Sequence, residues 1–364
     1  MKKKIMSIFG TRPEAIKMAP LVKQIEMVDS FQSLVCVTAQ HREMLDQILD
    51  RFQINPDYDL DIMTQRQTIA SITSKALAGI DKILEKENPD IVLVHGDTTT
   101  TLCAAMSAFY RQIKIGHVEA GLRTNDVFSP FPEEFNRETV SLIADFNFAP
   151  TEKAKNNLLK EGRTNIFVTG NTAIDAVKMN VDKNFKHELL DWVDGKKLIL
   201  LTAHRRENLG KPMENMFKAI YEIALERDDI KVVYPIHKNP VVRETANKIF
   251  KDKDIIKLVE PLDVYDFQNI MARAHIVLTD SGGIQEEAPS LGIPVLVMRN
   301  VTERPEGVEA GTLKLVGTNK EKIYNSIKQL LDSEKEYNAM AKASNPYGDG
   351  HASEKIVEIL KNML

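Results

Sequence analysis

Three carboxylates stand where buried runs give way to polar loops, the places from which side chains reach a ligand. Asp97 lies in Val94-His95-Gly96-Asp97-Thr98-Thr99-Thr100-Thr101 and Glu119 in Gly116-His117-Val118-Glu119-Ala120-Gly121-Leu122-Arg123-Thr124. Glu133 lies in Ser129-Pro130-Phe131-Pro132-Glu133-Glu134-Phe135-Asn136-Arg137. Set at successive strand ends of one domain, they form the kind of carboxylate cluster that moves protons. Each also has a local explanation. Asp97 or Thr98 can cap a helix, Glu119 can pair with Arg123, and Glu133 and Glu134 suit a helix start through the dipole.

Cations and glycines collect at other turns. In Gly10-Thr11-Arg12-Pro13-Glu14-Ala15-Ile16-Lys17, Thr11 and Glu14 have capping-box spacing with Pro13 early in the helix. Arg12 and Lys17 would add charge to the helix-start N–H groups, making an anion site suited to a diphosphate. Neither GxGxxG nor GxxxxGK[ST] occurs, so dinucleotide and P-loop readings lack support. Thr202-Ala203-His204-Arg205-Arg206-Glu207-Asn208 places a histidine and two arginines after a strand, a set that recognises phosphate oxygens unless Glu207 neutralises it. Thr279-Asp280-Ser281-Gly282-Gly283-Ile284-Gln285-Glu286-Glu287 places Ser-Gly-Gly where backbone N–H groups can approach a phosphate. Glu287 then suits ribose hydroxyls, and Arg299, Arg304 and Glu306 lie in the long loop that follows.

The elements that must position these residues alternate. Strands buried on both faces are expected at Lys4–Phe9, Leu34–Thr38, Ile91–His95, Lys114–His117, Phe146–Ala149 and Ile166–Val168. Helical patterns lie at Ala15–Met27, His41–Phe52, Thr68–Lys86 and Thr99–Arg111. The rhythm restarts with strands at Lys197–Thr202, Lys231–Pro235, Ile255–Val259, His275–Thr279 and Val295–Met298, with helices between them. This predicts an α/β chain of two doubly wound units joined near Gly170. Ligands of such sheets bind beyond the carboxyl ends of strands, and with two domains the cleft between them is the default site. Asn345-Pro346-Tyr347-Gly348-Asp349-Gly350 separates a helical pattern at Tyr324–Met340 from another at Ala352–Leu364, which can cap the second unit or return to the first.

Composition sets outer bounds. The 364 residues carry 48 Lys and Arg against 52 Asp and Glu, a formal net charge of -4, which removes the warrant for a nucleic-acid partner. Cys36 and Cys103 lack metal-ligand spacing, so no metal site is expected. No apolar run approaches the ~20 residues of a membrane helix, and the short apolar N-terminus lacks a signal-peptide core. The expectation is a cytoplasmic protein with no membrane partner.

Taken together, GTRPEAIKMAPL (10–21), TAQHREMLDQ (38–47), HGDTTTT (95–101), GHVEAGLRT (116–124), PFPEEFNR (130–137), TGNTAID (169–175), TAHRREN (202–208), TDSGGIQEEAP (279–289) and TERPEGVEAGT (302–312) resemble the bacterial non-hydrolysing UDP-N-acetylglucosamine 2-epimerases. The resemblance spans essentially the whole chain. It implies two Rossmann-like domains in a glycosyltransferase-B arrangement, 1–169 plus 351–364 and 170–350, with an interdomain cleft and a homodimer. It implies interconversion of UDP-N-acetylglucosamine and UDP-N-acetylmannosamine without metal or cofactor, by UDP elimination to 2-acetamidoglucal and re-addition. Residue by residue, Asp97, Glu119 and Glu133 match the acid/base positions, leaving their division of labour open. His204 joins the catalytic and UDP-binding set. Arg12, Lys17, Arg137, Ser281, Gly282, Gly283, Glu287 and Arg304 match substrate contacts. The resemblance also implies activation by UDP-N-acetylglucosamine at a second site near Gln40, His41, Arg66, Gln67 and Arg205, where Glu43 replaces the glutamine of some members. The alternative reading is a glycosyltransferase of the same architecture.

Overall fold

The computed structural model describes residues 2–39, 42–64 and 67–364, and in it the chain separates into two compact units. Unit 1 comprises Met1–Ala176 and Tyr347–Leu364, and unit 2 comprises Val177–Pro346.

Unit 1 is built on β1 (Lys3–Phe9), β2 (Phe31–Val37), β3 (Tyr58–Asp59), β4 (Ile91–His95), β5 (Lys114–Val118), β6 (Phe146–Ala149) and β7 (Ile166–Val168). Among the described residues these make one parallel sheet, in the order β3-β2-β1-β4-β5-β6-β7. Ile5, Met6, Ile8 and Phe9 of β1 are all buried, because helices cover both faces of a parallel sheet. On one face the Ile69–Glu87 and Thr99–Tyr110 helices pack Ile72, Ala76, Ile80, Ala104 and Ala108 against Met6, Ile8, Val92 and Val94. The small alanines allow close approach of the two helices.

Unit 2 repeats the plan with β8 (Lys197–Thr202), β9 (Ile230–Pro235), β10 (Ile256–Val259), β11 (Ile276–Thr279), β12 (Val295–Val297) and β13 (Leu313–Leu315). The described strands run parallel in the order β10-β9-β8-β11-β12-β13. Phe217, Tyr234 and Phe250 meet at tilted and edge-on angles within its core.

The α/β class and the two doubly wound sheets are as the sequence predicts, and four strands match their expected bounds, at Ile91–His95, Phe146–Ala149, Ile166–Val168 and Lys197–Thr202. Two local expectations need correction. β7 is an edge strand with Val168 38% exposed, so it is not buried on both faces. The Tyr324–Met340 pattern is two helices, Lys320–Asp332 and Glu334–Ala341, because Ser333 takes an extended conformation and caps the second through Glu336 N. The short β3 and β13 carry too few apolar residues to register as strands in the sequence.

The last helix, Ala352–Met363, belongs to unit 1, where it packs on the Arg12–Glu26 helix. Buried Asp175 accepts from Ser353 N at 2.7 Å and Ala352 N at 3.2 Å and so caps it. Its leading turn passes close to Gly170, where an added Cβ would come within 3.3 Å of Gly348 Cα.

In each sheet the strand order reverses beside the first strand, between β1 and β4 and between β8 and β11. These are the switch points at which neighbouring loops diverge and leave a crevice.

Candidate active site

At the first switch point the loop after β1 and the loop after β4 are joined by one buried carboxylate. Glu14 Oε2 accepts from Gly10 N at 3.0 Å and Thr11 N at 2.8 Å, while Oε1 accepts the hydroxyls of Thr98 at 2.7 Å and Thr101 at 3.1 Å. Burial still outweighs these four donors and holds the Glu14 pKa above its ordinary value. Beneath it Thr38 and Thr100 bond through their hydroxyls at 2.8 Å. A Cβ at Gly10 would lie 2.0 Å from Thr38 Oγ1 and 2.5 Å from Thr100 Oγ1, so glycine is required there by packing. Arg12 heads the adjoining helix, and its guanidinium bonds no described residue.

Asp97 follows the left-handed Gly96 at the end of β4. Thr98, not Asp97, is the helix cap, accepting from Thr101 N at 3.1 Å. That leaves the Asp97 carboxylate to Arg137, which bonds it through Nη2, while Asn136 Nδ2 holds Asp97 O at 2.8 Å. Burial raises the Asp97 pKa, with Arg137 opposing and nearby Glu119 reinforcing the rise.

Glu119 follows β5 in a left-handed conformation, φ 63°, which is strained for a residue with a Cβ. Its expected local partner Arg123 turns away and forks onto Glu161 at 2.6 and 2.9 Å. Glu119 instead pairs with Lys17 and accepts from Asn171 Nδ2 at 3.1 Å. His95 Nε2 lies 3.9 Å from Glu119 Oε2 and has no hydrogen-bond partner among the described residues. Burial, aided by Lys17 and His117, drives the His95 pKa down to about 3, so its ring is neutral. His117 bonds Gly96 O through Nε2 at 2.7 Å, and burial lowers its pKa to about 4.

Glu133 is not at a strand end. It opens the Glu133–Ile143 helix, and its carboxylate bonds no described residue. Its neighbour Glu134 is buried, accepts from Thr124 N at 2.7 Å and Asn125 N at 2.9 Å, and stands 3.1 Å from Arg137 Nη1. The structure thus brings Asp97, Glu119, Arg137 and Lys17 together at the ends of two adjacent strands.

The second switch point has the same construction. Asp280, fully buried after β11, accepts from His204 N at 3.0 Å, Arg205 N at 2.9 Å and Asn208 Nδ2 at 3.1 Å, fixing the loop after β8. The Thr202 and Thr279 hydroxyls bond beneath it at 2.6 Å. His204 stacks on His237 with centroids 5.4 Å apart, and burial lowers its pKa, opposed by Asp280. Glu207, the expected neutraliser of Arg205 and Arg206, goes to Arg299 at 2.8 Å. Arg205 stays on Asp280 O at 3.3 Å, with Glu303 at 3.7 Å.

Ser281 N bonds Thr279 Oγ1 at 2.9 Å, while the N–H groups of Gly282 and Gly283 donate to no described acceptor. An added Cβ at Gly282 would meet only side-chain ends, at 3.6 Å, and at Gly283 only Glu287 Oε1, at 3.5 Å. Packing therefore does not require glycine at either position. Glu287 accepts from Gln268 Nε2 at 3.1 Å. Arg304 pairs with buried Glu286 rather than standing alone in its loop.

Of the five second-site residues, Gln40, His41 and Arg66 lie outside the described residues. Gln67 accepts from Thr64 N at 3.3 Å in unit 1, and Arg205 lies in unit 2. The sequence reading missed Glu14 and Asp280 as loop fasteners, Glu134 as the second partner of Arg137, and Asn171 and His95 beside Glu119. The i, i+3 spacing of Glu134 and Arg137 was the one local signal available.

Comparison with known proteins supplies the chemistry these groups serve elsewhere. The family model described as UDP-N-acetylglucosamine 2-epimerase matches residues 23–361. The chain is similar to the UDP-N-acetylglucosamine 2-epimerase of Bacillus subtilis, 62% identical over 99% of this chain and 96% of that protein. It is also similar to a crystal structure of UDP-N-acetylglucosamine 2-epimerase, with TM-score 0.93 and 60% identity over 99% of this chain and 96% of that one. The enzyme from Neisseria meningitidis, bound to UDP-GlcNAc, aligns with TM-score 0.92 and 46% identity over 99% of this chain and 100% of that one.

Proposed function

The chain belongs to the UDP-N-acetylglucosamine 2-epimerase family, and on that premise we propose how its own residues invert carbon 2 of UDP-N-acetylglucosamine. The carbon 2 proton is weakly acidic. It is taken by a carboxylate of the Asp97, Glu119 and Glu133 set while the bond from carbon 1 to the UDP oxygen breaks. The products are 2-acetamidoglucal and UDP. Return of a proton to the opposite face of carbon 2, with re-addition of UDP to carbon 1, gives UDP-N-acetylmannosamine. One positioned acid or base contributes about 10²–10⁴-fold.

The observation that carries this reading is the pairing of two carboxylates on adjacent strands with two different cations, Asp97 with Arg137 and Glu119 with Lys17. Each carboxylate keeps a compensating charge beside it. The raised Asp97 pKa supports a group that exchanges protons nearer neutrality than an ordinary aspartate.

UDP must be held while it is free, since its loss would leave hydrolysis as the outcome. Charge-assisted hydrogen bonds of about 1.5–3 kcal/mol each suit this role. Arg12, Lys17, His204, Arg304, the Ser281 side chain and the N–H groups of Gly282 and Gly283 are assigned to the diphosphate, Glu287 to the ribose, and Arg137 to the sugar side. The open space over Gly282 and Gly283 supports that assignment, because glycine there serves something other than packing.

The wider reading is a cytoplasmic homodimer that feeds cell-surface polysaccharide or teichoic-acid synthesis, with activation by UDP-N-acetylglucosamine at a second site. No helix among the described residues is long and apolar enough to cross a membrane. Activation is tested by rates from the mannosamine side, which should rise on adding traces of the glucosamine substrate. The main reading is tested by incubating enzyme and UDP-N-acetylglucosamine in heavy water. Deuterium at carbon 2 of both epimers is expected, and unlabelled or hydrolysed sugar would overturn it.

A further inference from the structure

Asn171, in the TGNTAID segment between β7 and the Thr172–Asn180 helix, takes no part in the reaction steps described so far. It is buried at 4% exposure, and three of its bonds run in different directions. Its N–H donates to Tyr347 O at 2.7 Å, where the chain returns to unit 1. Its Oδ1 accepts from Ala173 N at 2.9 Å, an Asx turn at the helix start. Its Nδ2 donates to Glu119 Oε2 at 3.1 Å. The backbone bond and the Asx turn fix the side chain, so the third bond reaches Glu119 from a rigid base.

Glu119 needs such a partner. Its backbone is left-handed, and it also faces the flexible Lys17 ammonium and a neutral imidazole at 3.9 Å. An ammonium is a point charge on a four-carbon stem and fixes charge better than direction. An amide held at both ends fixes direction.

We propose that Asn171 is a positioning residue for epimerisation, holding the Glu119 carboxylate through Nδ2 in the orientation for proton transfer. The proposal rests on the reading of Glu119 as an acid/base group. It needs no contact between Asn171 and substrate.

Asn171→Asp is the discriminating variant. Aspartate caps a helix as well as asparagine does, so the bond to Ala173 N survives, while the donor facing Glu119 becomes an acceptor. Asn171→Ser keeps capping capacity and removes the donor without adding charge. We expect both variants to retain the thermal midpoint within a few degrees and the UDP affinity of the parent. The turnover number should fall roughly a hundredfold, the scale of a misplaced catalytic group, with KM little changed. The acid limb of the rate profile should move to higher pH, further for Asp than for Ser, since Glu119 then ionises less readily. Glu119→Gln is measured alongside. Loss of turnover in Glu119→Gln with parental kinetics in Asn171→Asp and Asn171→Ser would overturn the role of Asn171 alone. Full turnover in Glu119→Gln would overturn the reading of Glu119 and with it the inference.

Discussion

Arg137 holds Asp97 through Nη2 and turns its Nη1 toward buried Glu134 at 3.1 Å. One guanidinium thus joins a carboxylate assigned to the chemistry to one that fastens the loop at Thr124 and Asn125.

Removing that guanidinium has a definite sign. Arg137 is the largest influence that lowers the Asp97 pKa against burial. In Arg137→Ala the Asp97 pKa climbs further, and the limb of the rate profile that Asp97 governs moves to higher pH. Arg137→Lys should move it less. Turnover at neutral pH should drop roughly a hundredfold in the alanine variant. An unmoved limb with parental turnover would separate Asp97 from the reaction.

Glu14 provides a stability test independent of catalysis. Its folded pKa is raised above the ordinary 4.5, so between those two values the native state binds more protons than the unfolded chain. Stability is therefore lost as pH rises through that window. Glu14→Gln does not titrate, and its amide can serve the same backbone and hydroxyl neighbours. The stability of Glu14→Gln relative to the parent should rise with pH from about 4.5 upward and then level off. Urea midpoints across that range measure it, and a flat difference would mean Glu14 keeps an ordinary pKa in the fold.

His117 titrates with the opposite sign. Burial lowers its pKa from 6.5 to about 4, so across that interval the unfolded chain binds the extra proton. Its contribution is complete above 6.5 and is lost as pH falls toward 4. His117→Gln keeps a donor for Gly96 O and loses the titration. The variant should gain on the parent as pH drops through this range. A difference that is constant with pH would count against a neutral buried ring.

These groups also mark how far sequence carries. The buried runs within β1, β4 and β11 are mostly apolar, so the strand positions are legible from hydropathy, and the loops at Gly10, Gly96 and Ser281 follow. Choice of partner is not legible. Arg123 takes Glu161 although Glu119 is nearer in sequence, and Glu207 takes Arg299 although two arginines precede it. Glu14 satisfies a local capping pattern, which conceals bonds to Thr98 and Thr101, more than 80 residues away. Asp280 is likewise hidden, since the groups it fastens lie 72 to 76 residues upstream.

Two glycines that look alike in sequence should behave differently. Gly10→Ala forces a methyl to within 2.0 Å of Thr38 Oγ1 and 2.5 Å of Thr100 Oγ1, breaking the hydroxyl pair under the loop. Overpacking of this kind costs about 1–3 kcal/mol, visible as a lower urea midpoint. At Gly282 the nearest atoms are the far ends of Arg205 and Glu303, both at 3.6 Å, and φ is not left-handed. Gly282→Ala should therefore unfold with the parent, within about 0.5 kcal/mol. Its methyl instead occupies the space assigned to the diphosphate, so UDP affinity should fall roughly tenfold or more, about 1.4 kcal/mol. Calorimetric titration with UDP and urea unfolding on both variants give four numbers. Parental UDP binding by Gly282→Ala would remove this turn from the diphosphate site, whereas a destabilised Gly282→Ala would assign its glycine to packing after all.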